Sequence, residues 1–342
     1  MMSSEDNQKQ GEYMQTHTDA HDVTYGEIGG LSKKVSRIFL GTAISPFLEG
    51  KEADDLLDQM YKLGINAFDS ARGYGLSERA LGRWVKHKKN REEVVILTKC
   101  GNATPTGTVY IDRDVMTNEL KRSLSELGTD YVDILLLHRD DVNTSIAEYL
   151  ETFNDFVREG IIKSFGVSNW TVERIQEANT YAAKHGLRPF TISSPNFGLA
   201  EQVNDPWGGN CVTISGQANK EARDWYSRTN MPVLAYSALG RGFFSGKFKA
   251  GDVETAKSVL DAYAQKGYLY PVNMGRLERC QVLAEKRSCS VAQVAMSYIF
   301  SHAMNVFAVV STTSSVRMKL NIEAAKLRLS EKEVIFLETG AR

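Results

Sequence analysis

Four polar residues stand where apolar, strand-like runs end: Asp69 after INAF, Tyr74 five residues later, Lys99 after VVILT and His138 after YVDILLL. Their types suit proton delivery. A phenol is a poor acid near neutral pH because its unperturbed pKa is about 10. A nearby ammonium stabilises the phenolate, and a carboxylate holds the ammonium in place. Asp69, Lys99 and Tyr74 supply that chain if the fold gathers them, and His138 then orients a carbonyl oxygen. The set points to hydride transfer coupled to a proton. Taken singly, each residue has a plainer reading: Asp69 as a helix cap, Lys99 as a solvated cation, Tyr74 as a surface ring, His138 as a hydrogen-bonded core residue.

The elements that must position these residues alternate along the chain. Strand-length apolar runs at residues 35–41, 66–70, 94–100, 131–138, 162–168, 190–194, 232–237 and 307–311 are separated by amphipathic stretches such as SERALGRWVKHK and SIAEYLETFNDFVREG. Several of these close on glycine, as helix C-termini do. Such alternation predicts a parallel sheet with helical crossovers, and eight strands suit a closed α/β barrel of the (β/α)8, or TIM, type. A hairpin around Gly29 and Gly30 is expected to plug the barrel bottom, and LSEKEVIFLETG to form a last external helix.

Residues 1–22 read as a polar, flexible tail and 23–342 as one barrel domain. His17 and His21 have metal-like spacing in that tail but no further ligand near them, so no metal is expected. Two long segments break the rhythm, 198–216 and 240–273. In a barrel, loops after strands emerge at the C-terminal face, where active sites lie. They are the candidate substrate wall, with Trp170, Trp207, Phe243, Phe244 and Tyr268 as lining. Surface loops with buried aromatic anchors are the equally simple alternative.

Composition excludes some partners. With 41 basic against 42 acidic residues, no global field favours nucleic acid or a membrane surface. A small-molecule substrate fits that balance better. Cys100, Cys211, Cys280 and Cys289 form no CxxC pair, which argues against a zinc site and a disulfide framework. No stretch resembles a signal peptide or approaches the roughly 18 apolar residues of a membrane span. A cytoplasmic protein is expected, of unspecified oligomeric state.

The motifs FDSARGYGLSERALGRW, VVILTKC, YVDILLLH, IKSFGVSNW, VLAYSALGRGFFSGKF and VVSTTSSVRMKLNIEAA follow one another along the chain. Through them, residues 23–339 resemble the aldo-keto reductase family. The resemblance implies that Tyr74 is the general acid during carbonyl reduction and the base in reverse. Lys99, paired to Asp69, would lower the Tyr74 pKa, and His138 would position the carbonyl. A histidine there, where the family's carbon-carbon double-bond reductases carry glutamate, favours carbonyl or alcohol substrates.

The resemblance also implies a nicotinamide cofactor. Ser168 and Asn169 would hold its carboxamide and Tyr236 would stack on its ring. Ser237, Leu239, Gly240, Arg241 and Gly242 would wrap the pyrophosphate, with Gly41 and Thr42 completing the cradle. Gly240, Gly242 and Gly246 have GxGxxxG spacing, which is not the Rossmann fingerprint. Two positions depart from the family pattern. Ser194 stands at the carboxamide-binding glutamine, and Ser311 stands where many NADP-preferring members carry lysine or arginine. Arg317 and Asn321 remain, and the hydroxyls of Thr312 and Ser315 can assist Arg317 on a 2′-phosphate. NADP(H) is favoured, with NAD(H) left open.

Three functions are compatible with this reading. The first is a reductase interconverting an aldehyde or ketone and its alcohol; Arg139, Asp140, Asp141 and Asn204 at an open mouth would suit a sugar, polyol or keto-sugar. The second is a nicotinamide-binding regulatory subunit or sensor with little turnover. The third, an aldolase with Lys99 as Schiff-base nucleophile, is disfavoured by the Asp69 and Tyr74 partners.

Overall fold

Period-two alternation builds the centre of the molecule. Strands β3 (Ile38–Gly41), β4 (Ala67–Asp69), β5 (Val95–Cys100), β6 (Val132–Leu137), β7 (Ile162–Ser168), β8 (Ser193–Ser194), β9 (Val233–Ala235) and β10 (Val306–Val310) pair in parallel. The ring closes β10 on β3, giving the expected eight-stranded barrel. Before it, β1 (Tyr25–Gly26) and β2 (Val35–Ser36) form the antiparallel hairpin. This is a computed structural model, and it describes residues 23–104 and 109–341. The expected tail at 1–22, with His17 and His21, lies outside the described residues.

Helices α1 (Asp54–Lys62), α2 (Ser77–Lys88), α3 (Arg113–Leu127), α4 (Ile146–Arg158), α5 (Val172–His185) and α6 (Lys220–Thr229) make the crossovers from β3 to β9. Between β9 and β10 lie α7 (Val253–Val259), α8 (Ala262–Tyr268), α9 (Pro271–Lys286) and α10 (Val291–Phe300). After β10 come α11 (Ser315–Lys326) and α12 (Glu331–Thr339), the expected external helix, started by a Ser330–Glu333 capping box.

The barrel interior is a closed apolar cluster that includes Phe39, Ala67, Val95, Leu97, Ile134, Leu136, Ile192, Leu234 and Phe307, with Ile28 and Val35 of the hairpin segment plugging it. Side chains on a strand alternate faces. Two residues beyond each apolar layer, the inward row at the C-terminal mouth therefore reads Gly41, Asp69, Lys99, His138, Ser168, Ser194, Tyr236 and Ser311. The fold places a ring of polar or small residues on top of a dry core. The intervening residues, such as Ile38, Phe68, Ile96, Leu135 and Val233, face outward into the larger cluster shared with the helices.

Three elements differ from the sequence reading. The run at 35–41 divides at Arg37, whose N–H donates to Thr24 O and whose C=O accepts from Ala308 N, so one strand serves hairpin and barrel in turn. Of 190–194 only Ser193 and Ser194 join the ladder as strand. The segment 240–273 is largely helical: Asp252 and Asp261 cap α7 and α8 by accepting from Thr255 N and Ala264 N, and Pro271 opens α9. Segment 198–216 stays irregular apart from a bridge between Thr213 and Asn196. Among the described residues, no helix is long and apolar enough to cross a membrane, and no metal-binding cluster is present.

Candidate active site

Asp69 ends β4 and is braced by Thr42, whose N–H and Oγ1 both donate to Asp69 O at 3.0 Å. Thr42 therefore supports the acid's backbone. The Lys99 ammonium donates to Asp69 Oδ1 at 2.5 Å and to Ser70 O at 2.9 Å. Tyr74 is carried by a tight turn, in which its N–H donates to Ala71 O, before α2 begins at Ser77. Gly75 permits that turn: its φ is +55° and a Cβ there would lie 2.5 Å from Leu48 O. The Lys99 Nζ then lies 4.9 Å from the Tyr74 ring centre, and the ring meets His138 edge-on at 5.5 Å. All four residues come together.

Their electrostatics follow from burial. Desolvation, reinforced by the Lys99 and Arg139 charges, holds the His138 imidazole well below its ordinary range, so it is neutral. Burial opposes the Lys99 charge, yet Asp69 and Tyr74 outweigh it and the ammonium is retained. At Tyr74 burial pushes the phenol up, and Lys99 draws it only partly back. Lys99 thus acts on the phenol in the expected direction, against a burial that outweighs it.

Asn169 joins three segments. Its Nδ2 donates to His138 O and Ser168 Oγ, both at 3.1 Å, while its Oδ1 accepts from Tyr236 OH at 2.7 Å and Val212 N at 3.2 Å. Ser168 Oγ donates to Ser194 O, and Ser194 Oγ to Leu234 O. The Ser194 hydroxyl proton is thus used within the barrel, which leaves the hydroxyl only acceptor capacity toward a carboxamide.

The segment after β9 bends through left-handed residues, Ser237, Gly240, Arg241 and Gly242, with φ from +53° to +94°. No atom lies within 4 Å of the place a Gly242 Cβ would take, and the N–H groups of Ala238 and Leu239 have no acceptor among the described residues. Such a bend suits an anionic pyrophosphate. Beyond β10, Ser311 Oγ lies 2.5 Å from where a Gly41 Cβ would project, so Gly41 is what lets the two strand ends approach. Arg317 is exposed, its Nε donates to Thr312 Oγ1 at 3.1 Å, and it has no ion-pair partner among the described residues. Asn321 is buried beneath it on α11, which Ser315 opens. This donor set fits a phosphorylated dinucleotide.

The aromatic wall is smaller than expected. Trp170 is buried against Tyr149 and Phe190, its Nε1 donating to Arg139 O, so it supports the mouth from behind. Phe243, Phe244 and Tyr268 are wholly buried in the outer core and line no open space. Trp207 stays partly open, edge-on to Tyr236 and stacked with Tyr263. The Arg241 guanidinium lies over both the Trp207 and Tyr263 rings and pairs with Asp261 at 2.6 Å, fastening the two long segments together. Sequence reasoning missed Cys211, which no flanking motif marks; the fold brings its thiol to Arg139.

The likenesses to known proteins agree with this geometry. The model of the Aldo/keto reductase family matches residues 37–338. A norsolorinic acid reductase B from Dothistroma septosporum is 29% identical over 303 residues, covering 84% of this chain and 71% of the relative. An aryl-alcohol dehydrogenase from Pestalotiopsis microspora is 28% identical over 301 residues, 84% of this chain and 72% of the relative. A crystal structure of a thermostable aldo-keto reductase with the inhibitor epalrestat superposes with a TM-score of 0.68 at 21% identity, covering 92% of this chain and 99% of its own, and speaks for the fold. Since the family match spans nearly the whole barrel and its strand ends, the chain belongs to the aldo/keto reductase family.

Proposed function

We propose that the protein is an NADP(H)-dependent reductase interconverting an aldehyde or ketone and the corresponding alcohol, with Tyr74 as general acid and base. The observation that carries this reading is the Lys99–Asp69 pair beneath the Tyr74 ring, beside a neutral His138. NADPH, when bound, supplies the hydride. The raised Tyr74 pKa keeps its proton in place near neutral pH until a carbonyl oxygen draws on it. Lys99 stabilises the phenolate left behind, and Asp69 keeps Lys99 charged. His138, neutral and edge-on to the Tyr74 ring, would offer a ring N–H to the same carbonyl oxygen.

Arg317 supports NADP(H) over NAD(H), as an exposed cation with no ion-pair partner among the described residues. The substrate we favour is an aryl or otherwise flat carbonyl. Trp207, Tyr236 and Tyr263 supply ring faces, and relatives bear the names aryl-alcohol dehydrogenase and norsolorinic acid reductase. A sugar or polyol has less support, because Asp140 is paired to Arg174, Asp141 accepts from Ile111 N and Asn143, and Asn204 donates to Tyr270 OH. Four free thiols agree with a reducing cytoplasm.

The test is NADPH oxidation against a carbonyl panel, in wild type and Tyr74→Phe. The variant is expected to lose reduction while binding NADPH within a few-fold of wild type. Near-normal turnover in Tyr74→Phe would refute the assignment. Absence of oxidation with every carbonyl would favour a cofactor sensor instead.

A further inference from the structure

We propose that Arg139 is the receptor for an anionic group, a carboxylate carried by the substrate whose carbonyl is reduced at Tyr74. The proposal takes from the reductase reading only the position of the reacting carbonyl. Arg139 directly follows His138 at the exit of β6 and is 7% exposed. Its Nη1 donates to Cys211 Sγ at 2.8 Å and reaches Asn210 O at 3.4 Å. Its Nε is buried without a partner, and its Nη2 has none among the described residues.

No carboxylate among the described residues pairs with it, although three are near in sequence or space. Asp140 faces Arg174 at 3.3 Å, and Asp141 is taken by Ile111 N and Asn143. Asp205 accepts from the N–H groups of Trp207, Gly209 and Cys211. The Cys211 thiol does not serve as a counter-charge, because burial holds it up in its neutral form. A buried cation is costly without an anion, and two unused donor nitrogens in a fixed fork match a carboxylate.

The location fits a substrate. Arg139 follows His138 directly, and its Nη1 meets Asn210 and Cys211, next to Val212, whose N–H is bonded to the Asn169 amide that also holds His138 O. The groups suited to the cofactor's phosphates, residues 237–242 and Arg317, are a separate set.

The full chain saturated with NADP+ should be titrated calorimetrically with benzoate and with benzamide, which differ in charge and little in shape. Benzoate is expected to bind about ten-fold or more tightly, the usual yield of a charge-assisted pair. That preference should collapse in Arg139→Met and partly return in Arg139→Lys. The kcat/KM values for 3- and 4-formylbenzoate against the matching formylbenzamides should follow the same order. Equal binding of the two probes by wild type, or an unchanged preference in a folded Arg139→Met, overturns the proposal. If Arg139→Met does not fold, the wild-type comparison decides alone. Weaker NADP+ binding in Arg139→Met with the probe preference intact gives the cation to the cofactor and also overturns it. Charge preference without turnover of any formyl compound upholds the anion site and removes the reductase reading; turnover without charge preference does the reverse.

Discussion

The Lys99 ammonium lies 4.9 Å from the centre of the Tyr74 ring, held by Asp69 Oδ1 at 2.5 Å and Ser70 O at 2.9 Å. Both members of that ion pair are almost fully buried. Removing one charge leaves the other stranded in a shielded site, which costs about 3 to 5 kcal/mol. Asp69→Asn is expected to lose stability of that order in urea unfolding and to lose carbonyl reduction with it. A loss below about 1 kcal/mol, the worth of an exposed pair, would show that the pair is solvated.

Arg317 lies in the first turn of α11, its side chain bonded among the described residues only to Thr312. Arg317→Ala is expected to weaken NADPH about ten- to a hundred-fold, the worth of charge-assisted bonds to a phosphate, and NADH far less. Titrations of both cofactors by fluorescence check this. Equal losses would remove Arg317 as the reader of the 2′-phosphate.

His302 is held at a pKa of about 4, first by burial and then by the Arg223 charge, and its Nε2 is buried without a hydrogen bond. The unfolded chain, with its histidines near 6.5, therefore binds more protons than the folded one between pH 6.5 and 4. Stability from this site is complete above 6.5 and falls as pH drops through that window, by up to about 3 kcal/mol. His302→Phe, which keeps a ring against Phe197 and Tyr298, should lose less stability than wild type from pH 7 to 4. Parallel pH profiles in urea unfolding would contradict the shift.

The clasp formed by Arg241 on Trp207, Tyr263 and Asp261 sets how tightly the two long segments are joined. Each cation–π contact at a partly open site contributes about 0.5 to 1 kcal/mol. Arg241→Ala is expected to raise amide hydrogen exchange across residues 203–212 several-fold while leaving β4 to β6 protected. Unchanged exchange in that segment would show that other contacts hold it.

The barrel and its polar crown were legible because a period of two needs no partner to be read. Once Val95 and Leu97 point inward, Lys99 must do so too, and the same step takes Leu136 to His138. Ring side chains carry no such directional mark. Trp170, Phe243, Phe244 and Tyr268 look alike in sequence whether they face a mouth or a core, and only packing against Tyr149, Phe190 and Phe248 decides. Charges were misread for a related reason. Asp140 and Asp141 neighbour Arg139 in sequence, yet their partners Arg174 and Ile111 come from α5 and the segment before α3. The short helices α7 and α8 escaped detection because seven residues give too few turns for a periodic signal, although their Asp caps were present.

Asn169 has one further consequence. Its amide is spent on four bonds, to His138 and Ser168 below and to Tyr236 and Val212 above. A drift in the 198–216 segment that displaces Val212 loosens the acceptor that Tyr236 shares and tilts the donor under the His138 carbonyl. The 198–216 segment and the floor beneath His138 are thus joined through one amide. Changes around residue 212 in relatives are expected to travel with changes at 169 or 236.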